Sequence, residues 1–436
     1  MPQIARLTAI AALVLSIGIA CGRASSTAAQ SPMAGGCPLF PVDNIWNVAV
    51  EGLPAHPMSD AFVASIGAAT ALHPDFGADP TYGIPYDVVA ADQAGVPVTF
   101  DYPDESDAGP YPIRSNPPIE AGSDRHILIV QQGTCKLYEL YAAERIGGAW
   151  HAGSGAIFDL RSNVLRPDTW TSADAAGLPI LPGLARRDEV LAGEINHALR
   201  FTASRTRKAH VWPARHDASG ITDPSVPPMG QRFRLKASFD ISRFPAYDQV
   251  ILRALKKYGM ILADNGSNWY ISGANDTGWD DDALNQLKQL RGSDFEAVDT
   301  SSLMLDPDSG QVSLDRKDVS PPTARQGQQV TYTIQFAGGG AISLSDPLPS
   351  GVSLVGAPLT EPASVPPAVS GAGAITWSGA PPNSILVKIT YTVQVDTAAT
   401  QALRNTATLA RAGGQRQLTA VLLTNPRQGF VSTIRR

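Results

Sequence analysis

The order of hydrophobic and polar positions divides the chain into two parts. Toward the C-terminus, apolar and polar residues alternate over 329–336, 385–395 and 406–409, and Gly and Pro residues separate these stretches. Alternation with a period of two predicts strands that bury one face, and several such strands at regular spacing are typical of a β-sandwich. The C-terminal part is therefore predicted to be all β.

The N-terminal part, 37–301, mixes helical and strand patterns. The clearest helix is predicted over 246–258, where apolar residues recur on one face and Gly259 follows as a stop signal. Further helices are predicted over 59–72 and 283–290, the second behind an acidic first turn that favours the helix dipole.

Short apolar stretches between these helices predict many strands. They lie at 96–102, 126–131, 136–142, 156–160, 198–202, 209–212, 233–239 and 260–263. Strands and helices do not alternate regularly, which predicts an α+β domain built on antiparallel sheet, a jelly-roll-like sandwich being one form of it. Turn-forming residues at 302–311 predict a linker. We therefore expect a chain ending at Ser309 to fold.

Residues 1–30 are predicted to be a signal peptide. After Arg6 comes an apolar run of about 14 residues, long enough for a signal-peptide core and short for a bilayer span. Small residues at 27–29 offer a cleavage site, and a second interpretation makes Cys21 a lipid-anchored cysteine. Both interpretations predict export to the extracellular space, the cell surface or the periplasm, with no transmembrane segment in the mature chain.

Two of the three cysteines, Cys37 and Cys135, lie after the signal region. Paired cysteines oxidise in exported proteins, so the sequence predicts a disulfide between them. It would close a loop that the chain-entropy account credits with roughly 4–5 kcal/mol.

Charge and motifs exclude several functions. With 34 basic and 40 acidic residues the net charge is -6, which argues against nucleic acid as a partner, because phosphate binding needs a basic patch. Dinucleotide, Walker and metalloprotease motifs are absent from the sequence. No known ligand spacing occurs either, so no metal and no cofactor is predicted.

Four ordered motifs mark the C-terminal part. They are Gly-Gln-Gln-Val-Thr-Tyr-Thr at 327–333, Leu-Ser-Asp-Pro-Leu-Pro-Ser-Gly-Val at 344–352, Ala-Ile-Thr-Trp at 374–377 and Arg-Asn-Thr-Ala at 404–407. Together they resemble the "conserved repeat" domain of bacterial surface proteins, catalogued as domain of unknown function eleven. The resemblance implies an immunoglobulin-like spacer at the cell surface, without catalysis. We place this domain at 312–424 and a tail at 425–436.

Segments of the N-terminal part also resemble known proteins. They are Cys-Pro-Leu-Phe-Pro at 37–41, Asn-Ile-Trp-Asn at 44–47, the stretch 171–183, Tyr-Gly-Met at 258–260 and Ala-Asp-Asn-Gly at 263–266. They resemble a group of secreted bacterial proteins of no established activity, so the resemblance implies no catalytic residues.

The stretch 209–216 is the richest in candidate chemistry. Trp212 offers a flat face for a sugar ring, Arg215 a fork for a carboxylate, and His216 a base near neutral pH. His197 would join them if the two strands formed a hairpin. The alternative is that each residue has a structural role in the core.

Carboxylates supply the second set of candidates. Glu139 lies within a predicted strand, Asp159 and Arg161 end another, and Asp264 begins an Asp-Asn-Gly turn near Trp269. A glycosidase needs two carboxyl groups about 5–10 Å apart. The alternative for Asp264 is a plain turn residue. Glu139 and Asp159 are candidate catalytic groups, and Arg161 and Asp264 candidate substrate-binding groups.

Two function classes follow from these residues. The first is an exported hydrolase or lyase that acts on, or binds, an extracellular polysaccharide. The second is a non-catalytic surface or adhesion protein with an immunoglobulin-like spacer. The expected partner is an extracellular glycan, and whether the protein is an enzyme is left open.

The C-terminal part also contains the groups for an internal amide cross-link. Lys317 lies near its first strand, Asn405 near its last, and Asp346 is an available acid between them. The reaction needs a neutral amine, hence a buried lysine. The alternative is a solvated Lys317 and an Asn405 that hydrogen-bonds the backbone.

Overall fold

The structure is a computed structural model that describes residues 31–371, 373–383 and 385–426. The predicted signal peptide, the Cys21 anchor and most of the predicted tail lie outside the described residues. Within them the α-helices are α1 (Ser59–Ile66), α2 (Arg187–Ala192), α3 (Ala246–Lys257) and α4 (Asp281–Gln286). Short 3-10 helices lie at Ile45–Asn47, Pro103–Glu105, Leu181–Gly183, Leu287–Gln289, Gly292–Asp294 and Ser301–Leu303. Among the residues described, no helix is long and apolar enough to span a membrane.

The large N-terminal part is built on short strands. They are β1 (Met33–Ala34), β2 (Cys37–Pro38), β3 (His73–Asp75), β4 (Tyr86–Val89), β5 (Val98–Phe100), β6 (Ile127–Gln131), β7 (Lys136–Tyr141), β8 (Glu144–Ile146), β9 (Ala149–Ala152), β10 (Ser154–Asp159), β11 (Leu199–Ala203), β12 (Arg207–His210), β13 (Pro228–Met229), β14 (Arg232–Leu235), β15 (Met260–Asn265), β16 (Tyr270–Ser272) and β17 (Phe295–Val298).

These strands form mixed sheets. The largest has the order β17-β14-β15-β11-β16-β3, and a second has the order β10-β7-β6-β4. Most neighbours are antiparallel, while β11 with β15, β16 with β3 and β4 with β6 are parallel. The predicted α+β class on antiparallel sheet is confirmed. The parallel pairs arise because long crossover connections, one of which includes α3, join strands that are not neighbours in sequence.

Aromatic rings pack at the centre of the large part. Trp269 is fully buried, with ring-centroid distances of 5.7 Å to Phe201, 5.5 Å to Phe233 and 5.4 Å to Phe295. Its indole N–H donates to the Gly67 carbonyl at 2.9 Å. The polar end of a buried tryptophan needs such a partner, and this one holds the end of α1 against the sheet.

The C-terminal part is a two-sheet sandwich. Its strands are β18 (Arg316–Ser320), β19 (Thr323–Ala324), β20 (Gln329–Ala337), β21 (Ile342–Pro347), β22 (Val352–Glu361), β23 (Val369–Gly371), β24 (Ala374–Gly379), β25 (Leu386–Val395), β26 (Gln401–Arg411) and β27 (Gly414–Thr424). One sheet has the order β18-β20-β25-β22 and the other β19-β27-β26-β21-β24-β23. The alternating residues face a separate hydrophobic core, and the predicted immunoglobulin-like all-β fold is confirmed.

The disulfide between Cys37 and Cys135 is confirmed. The Cα atoms are 5.4 Å apart, and both cysteines are buried. Cys37 lies in β2 and Cys135 directly before β7. The bond therefore fixes the start of the described chain to the second sheet.

The predicted linker contacts the large part along its length. Arg215 donates to the Pro307 carbonyl at 2.8 Å and to Asp308 at 2.7 Å, and Trp212 donates to the Ser309 carbonyl at 2.8 Å. Val312 is buried in the core of the large part. The segment 307–312 thus belongs structurally to the N-terminal part.

Candidate functional site

A polar cleft opens on the large part between the two main sheets. Its main lobe is a cavity of about 450 Å³, lined by Tyr102, Glu105, Asp124, Tyr141, Ser154, Thr171, Ser172, Ala173, Asp174, Ala175, His216, Ala218, Asp264 and Asn265. A second lobe of about 340 Å³ shares Asp124, Asp264 and Asn265 with the first and adds Asp75, Glu120, His126 and Arg200. Carboxylates are therefore the most frequent charged groups in both lobes.

A bulge in the central sheet brings Asp264 and Arg200 to one side. β11 and β15 run parallel with Arg200 opposite Ile261, but the register shifts so that Thr202 lies opposite Asp264. Side chains alternate along a strand, so an even register would have placed Ala263 on that side instead. An oxygen of Asp264 consequently lies 3.7 Å from the Arg200 guanidinium.

Arg200 forms a two-pronged ion pair with Asp174. Its Nε and Nη2 atoms donate to the two carboxylate oxygens at 2.9 and 2.7 Å, and its Nη1 donates to Ser272 Oγ at 2.5 Å. Both charged residues are almost fully buried. Bidentate geometry of this kind fixes the orientation of both side chains.

Asp264 lies beside this ion pair and has a raised pKa. Burial raises the pKa of the Asp264 carboxyl well above its usual range, and the negative charge of Asp174 raises it further, while Arg200 opposes both. Its side chain is 23% exposed, so it can still reach a ligand in the cleft. Asp264 is therefore a candidate proton donor between the two lobes.

His126 and Glu120 form a second buried pair. Nδ1 of His126 lies 2.5 Å from a Glu120 oxygen, and Nε2 lies 3.0 Å from the Ala173 carbonyl oxygen. Both partners accept, so both ring nitrogens donate, as in an imidazolium. Burial opposes this charge, yet the Glu120 hydrogen bond raises the pKa of His126 overall. The pair holds the segment after Ser172 against β6.

His216 is the part of the 209–216 stretch that reaches the cleft. Its Nδ1 donates to the Ala175 carbonyl at 2.7 Å, and its Nε2 lies 3.8 Å from a Glu105 oxygen. Glu105 in turn accepts from the Thr171 amide at 3.1 Å. His216 and Asp264 thus line the same lobe.

Other candidates lie elsewhere. Trp212 and Arg215 face the 307–309 segment, with Arg215 also donating to the Arg166 carbonyl. His197 is fully buried between Glu189 and the Ala198 carbonyl. The predicted hairpin between the strand next to His197 and the strand before His216 does not form, since β11 pairs with β15 and β12 with β13. The two histidines do not meet in one groove.

Glu139, Asp159 and Arg161 line neither lobe. Glu139 is fully buried and accepts from the amides of Ile180 and Leu181 at 2.9–3.0 Å. Asp159 pairs with Lys136 at 3.0 Å at the end of β10, and the Arg161 side chain is exposed.

Sequence reasoning missed Asp174, Arg200, Glu120 and His126. Arg200 carried a usable signal, because a charged residue within the apolar strand 198–202 must find a buried partner. Asp174 lies within the stretch 171–183 that carries the resemblance, and that stretch meets 263–266 at the cleft. No group of three or more His, Cys, Asp or Glu side chains placed for a metal ion occurs among the described residues.

Comparisons with known proteins give only distant likenesses. No protein-family model matches the chain, and no curated protein does. A non-cellulosomal cohesin from Archaeoglobus fulgidus is 12% identical over 26% of this chain and 92% of its own, with a TM-score of 0.19. The collagen-binding domain of a Staphylococcus aureus adhesin is 9% identical over 26% and 96%, with a TM-score of 0.20.

The N-terminal domain of the Streptococcus gordonii adhesin Sgo0707 is 15% identical, covers 30% of this chain and 35% of its own, and has a TM-score of 0.22. The matched structures thus include domains of bacterial surface adhesins. Likeness at this level carries no conclusion about ligand or activity. The immunoglobulin-like assignment rests on the strand pairing, and the "conserved repeat" relation stays a resemblance.

Proposed function

We propose that this is an exported surface protein whose large part binds an extracellular polymer in the acidic cleft, with the immunoglobulin-like part as its spacer. The observation that carries the proposal is the cleft itself, in which carboxylates and two tyrosines surround a cavity of about 450 Å³. Ligand sites typically combine such a volume with a few placed polar groups.

The lining favours a polymer rich in hydroxyl groups. Glu105, Asp124 and Asp264 offer acceptors for sugar hydroxyls, and Tyr102 and Tyr141 offer ring faces together with phenolic hydroxyls. An acidic lining repels polyanions. Neutral or amino-sugar polymers therefore fit better than acidic ones.

Hydrolysis is a second candidate, favoured by Asp264. A carboxyl group with a raised pKa in a cleft is the kind of group that a general acid requires. Asp174 is held by Arg200, so the partner base would come from Asp124 or Glu105 across the lobe.

A polymer panel separates the two functions. Purified protein is offered starch, cellulose, xylan and chitosan, with alginate as the polyanion, and both retention and new reducing ends are measured. The proposal expects retention on a neutral or amino-sugar polymer, and retention on none would overturn it. Release of reducing ends that Asp264→Asn abolishes, while retention persists, would establish the hydrolase, because an amide keeps the hydrogen bonds of the protonated acid but cannot donate its proton.

A further inference from the structure

Three reactive groups meet in the core of the C-terminal sandwich. Lys317 lies on β18 in one sheet, and Asp346 and Asn405 lie on β21 and β26 in the facing sheet. The side chains of Lys317 and Asp346 are fully buried, and Asn405 is 1% exposed. The solvated Lys317 that the sequence allowed is therefore excluded.

Hydrogen bonds connect these groups in a chain. The Lys317 amine donates to one oxygen of Asp346, and the Tyr391 hydroxyl donates to the other at 2.5 Å. Asn405 Nδ2 donates to the Tyr391 hydroxyl at 2.7 Å. The amine and the amide thus share one acid, directly and through one phenol.

Two features of this cluster would lower the stability of the fold if Lys317 and Asp346 formed only a structural ion pair. Asn405 Oδ1 is buried, and within the described part of the chain its amide carbonyl accepts no hydrogen bond. The rings of Tyr332 and Tyr391 flank the amine, 5.2 and 5.9 Å from Nζ, and exclude water. Burial lowers the pKa of Lys317 to about 8 although Asp346 opposes the shift, so the neutral amine is accessible.

We propose that Lys317 and Asn405 become joined by an amide bond between the two sheets, with Asp346 as the proton carrier. Lys317 passes a proton to Asp346, and its neutral Nζ attacks Asn405 Cγ. Asp346 protonates Oδ1, which supplies the donor that this oxygen lacks, and then carries a further proton from Nζ to Nδ2.

The bond from Cγ to Nδ2 breaks as the carbonyl re-forms. Of the three hydrogens on Lys317 Nζ, one stays on this atom as the new amide hydrogen. The other two leave on Asn405 Nδ2, which departs with its own two hydrogens as ammonium. Asp346 returns to its starting charge. No oxidant, metal or cofactor is consumed. The product ties the first strand of the sandwich to the strand before its last, across the core.

Peptide mapping of the exported full-length protein tests the cross-link. After reduction and tryptic digestion, we expect one branched peptide that joins the Lys317 and Asn405 segments and weighs one ammonia less than their sum. Separate linear peptides with intact Lys317 and Asn405 would overturn the proposal, whatever the variants do.

Two variants test whether Asp346 carries the protons in this reaction. Asp346→Asn removes the proton carrier with little change in shape, and we expect linear peptides from a protein whose circular dichroism shows β structure. A branched peptide from this variant would overturn the role of Asp346. Lys388→Ala is the matched control, because this lysine lies on β25 of the same sheet and points away from the core, and its branched peptide should persist.

Discussion

Asp174 and Asp264 both line the cleft, but Arg200 binds them unequally. Its guanidinium binds both oxygens of Asp174 within 2.9 Å and approaches Asp264 only to 3.7 Å. Asp174 is held in a two-pronged ion pair, while burial and the neighbouring Asp174 raise the pKa of Asp264. Two residues of the same type thereby take different roles: Asp174 anchors the arginine, and Asp264 is the candidate acid.

Replacing Arg200 tests this account of the anchor. Arg200→Met leaves Asp174 buried without its cation, so we expect the free energy of unfolding to fall by about 3–5 kcal/mol. Urea denaturation provides the measurement. Arg161→Met is the control, because that side chain is exposed and should change stability by less than about 0.5 kcal/mol. Equal, small effects would contradict the buried ion pair.

The buried Glu139 should make the free energy of unfolding depend on pH. Burial raises its pKa to about 7 against 4.5 in the unfolded chain, although two backbone amides oppose the shift. The folded state keeps the proton while the unfolded state loses it. The contribution is therefore full below pH 4.5 and is lost as the pH rises to about 7, by up to about 3 kcal/mol at 1.36 kcal/mol per unit.

Glu139→Gln removes this titration. Urea denaturation of the variant at about pH 4.5 and about pH 7.5 should show a smaller loss of stability than the wild type shows over the same window. Other buried acids titrate in both proteins, so the difference between the two isolates Glu139. Parallel pH profiles would show that Glu139 does not carry a proton in the folded chain.

At the scale of elements, the segment 171–183 is positioned by groups outside it. Near the end of the segment, Glu139 accepts a hydrogen bond from the Ile180 amide. Near its start, the His126 ring donates to the Ala173 carbonyl. Ser154 donates to the Ser172 carbonyl at 2.6 Å. A loop fixed at several points can present Asp174 in one orientation, which suits a binding site on a rigid support.

The disulfide joins β2 to the residue directly before β7. Replacing both Cys37 and Cys135 by Ala should lower the free energy of unfolding by about 4–5 kcal/mol, since the bond closes a long loop in the unfolded chain. Thermal and urea unfolding of the oxidised wild type and the variant measure the loss. An unchanged midpoint would show that the bond does not constrain the unfolded state.

The sequence predicted elements best where local signals are strong. α3 forms at the predicted place because its apolar face is regular, and Gly259 with φ +66° ends it. The helix predicted over 59–72 stops at Ile66, since Gly67 takes φ +116° and its carbonyl binds Trp269. That partner lies far along the chain, so no local pattern could reveal it.

The site was harder to predict than the fold. The hypothesis of a groove between His197 and His216 assumed that sequential strands pair, whereas β11 and β12 enter different sheets. The cleft depends on a bulge opposite Thr202 and on an ion pair between Asp174 and Arg200. Both are set by tertiary contacts that period and spacing do not encode.

For the whole molecule, the two parts have separate cores and meet through a small junction. Val42 packs against Ala337 and Leu386, and the Asn383 amide donates to the Arg161 carbonyl at 2.9 Å. Val312 belongs to the core of the large part. A truncation that preserves this core should therefore end after Val312 and not at Ser309.

Two truncations test this boundary. A chain ending at Leu314 should fold with nearly the stability of the large part in the full-length protein. A chain ending at Ser309 should be less stable by about 2 kcal/mol, the contribution of burying one valine side chain. Thermal unfolding compares them. Equal stability would show that 310–314 adds nothing to the large part, and failure of both to fold would show a shared core.

The most direct test of the proposed binding cleft is a calorimetric titration of the polymer retained in the panel into the wild type, Asp264→Ala and Asp92→Asn. Asp92 is exposed and lines neither lobe, so its variant should bind like the wild type. Loss of the Asp264 contact should weaken binding about tenfold, the equivalent of one hydrogen bond of ~1.4 kcal/mol. Unchanged affinity in Asp264→Ala, with the fold intact, would contradict the assignment of the cleft as the binding site.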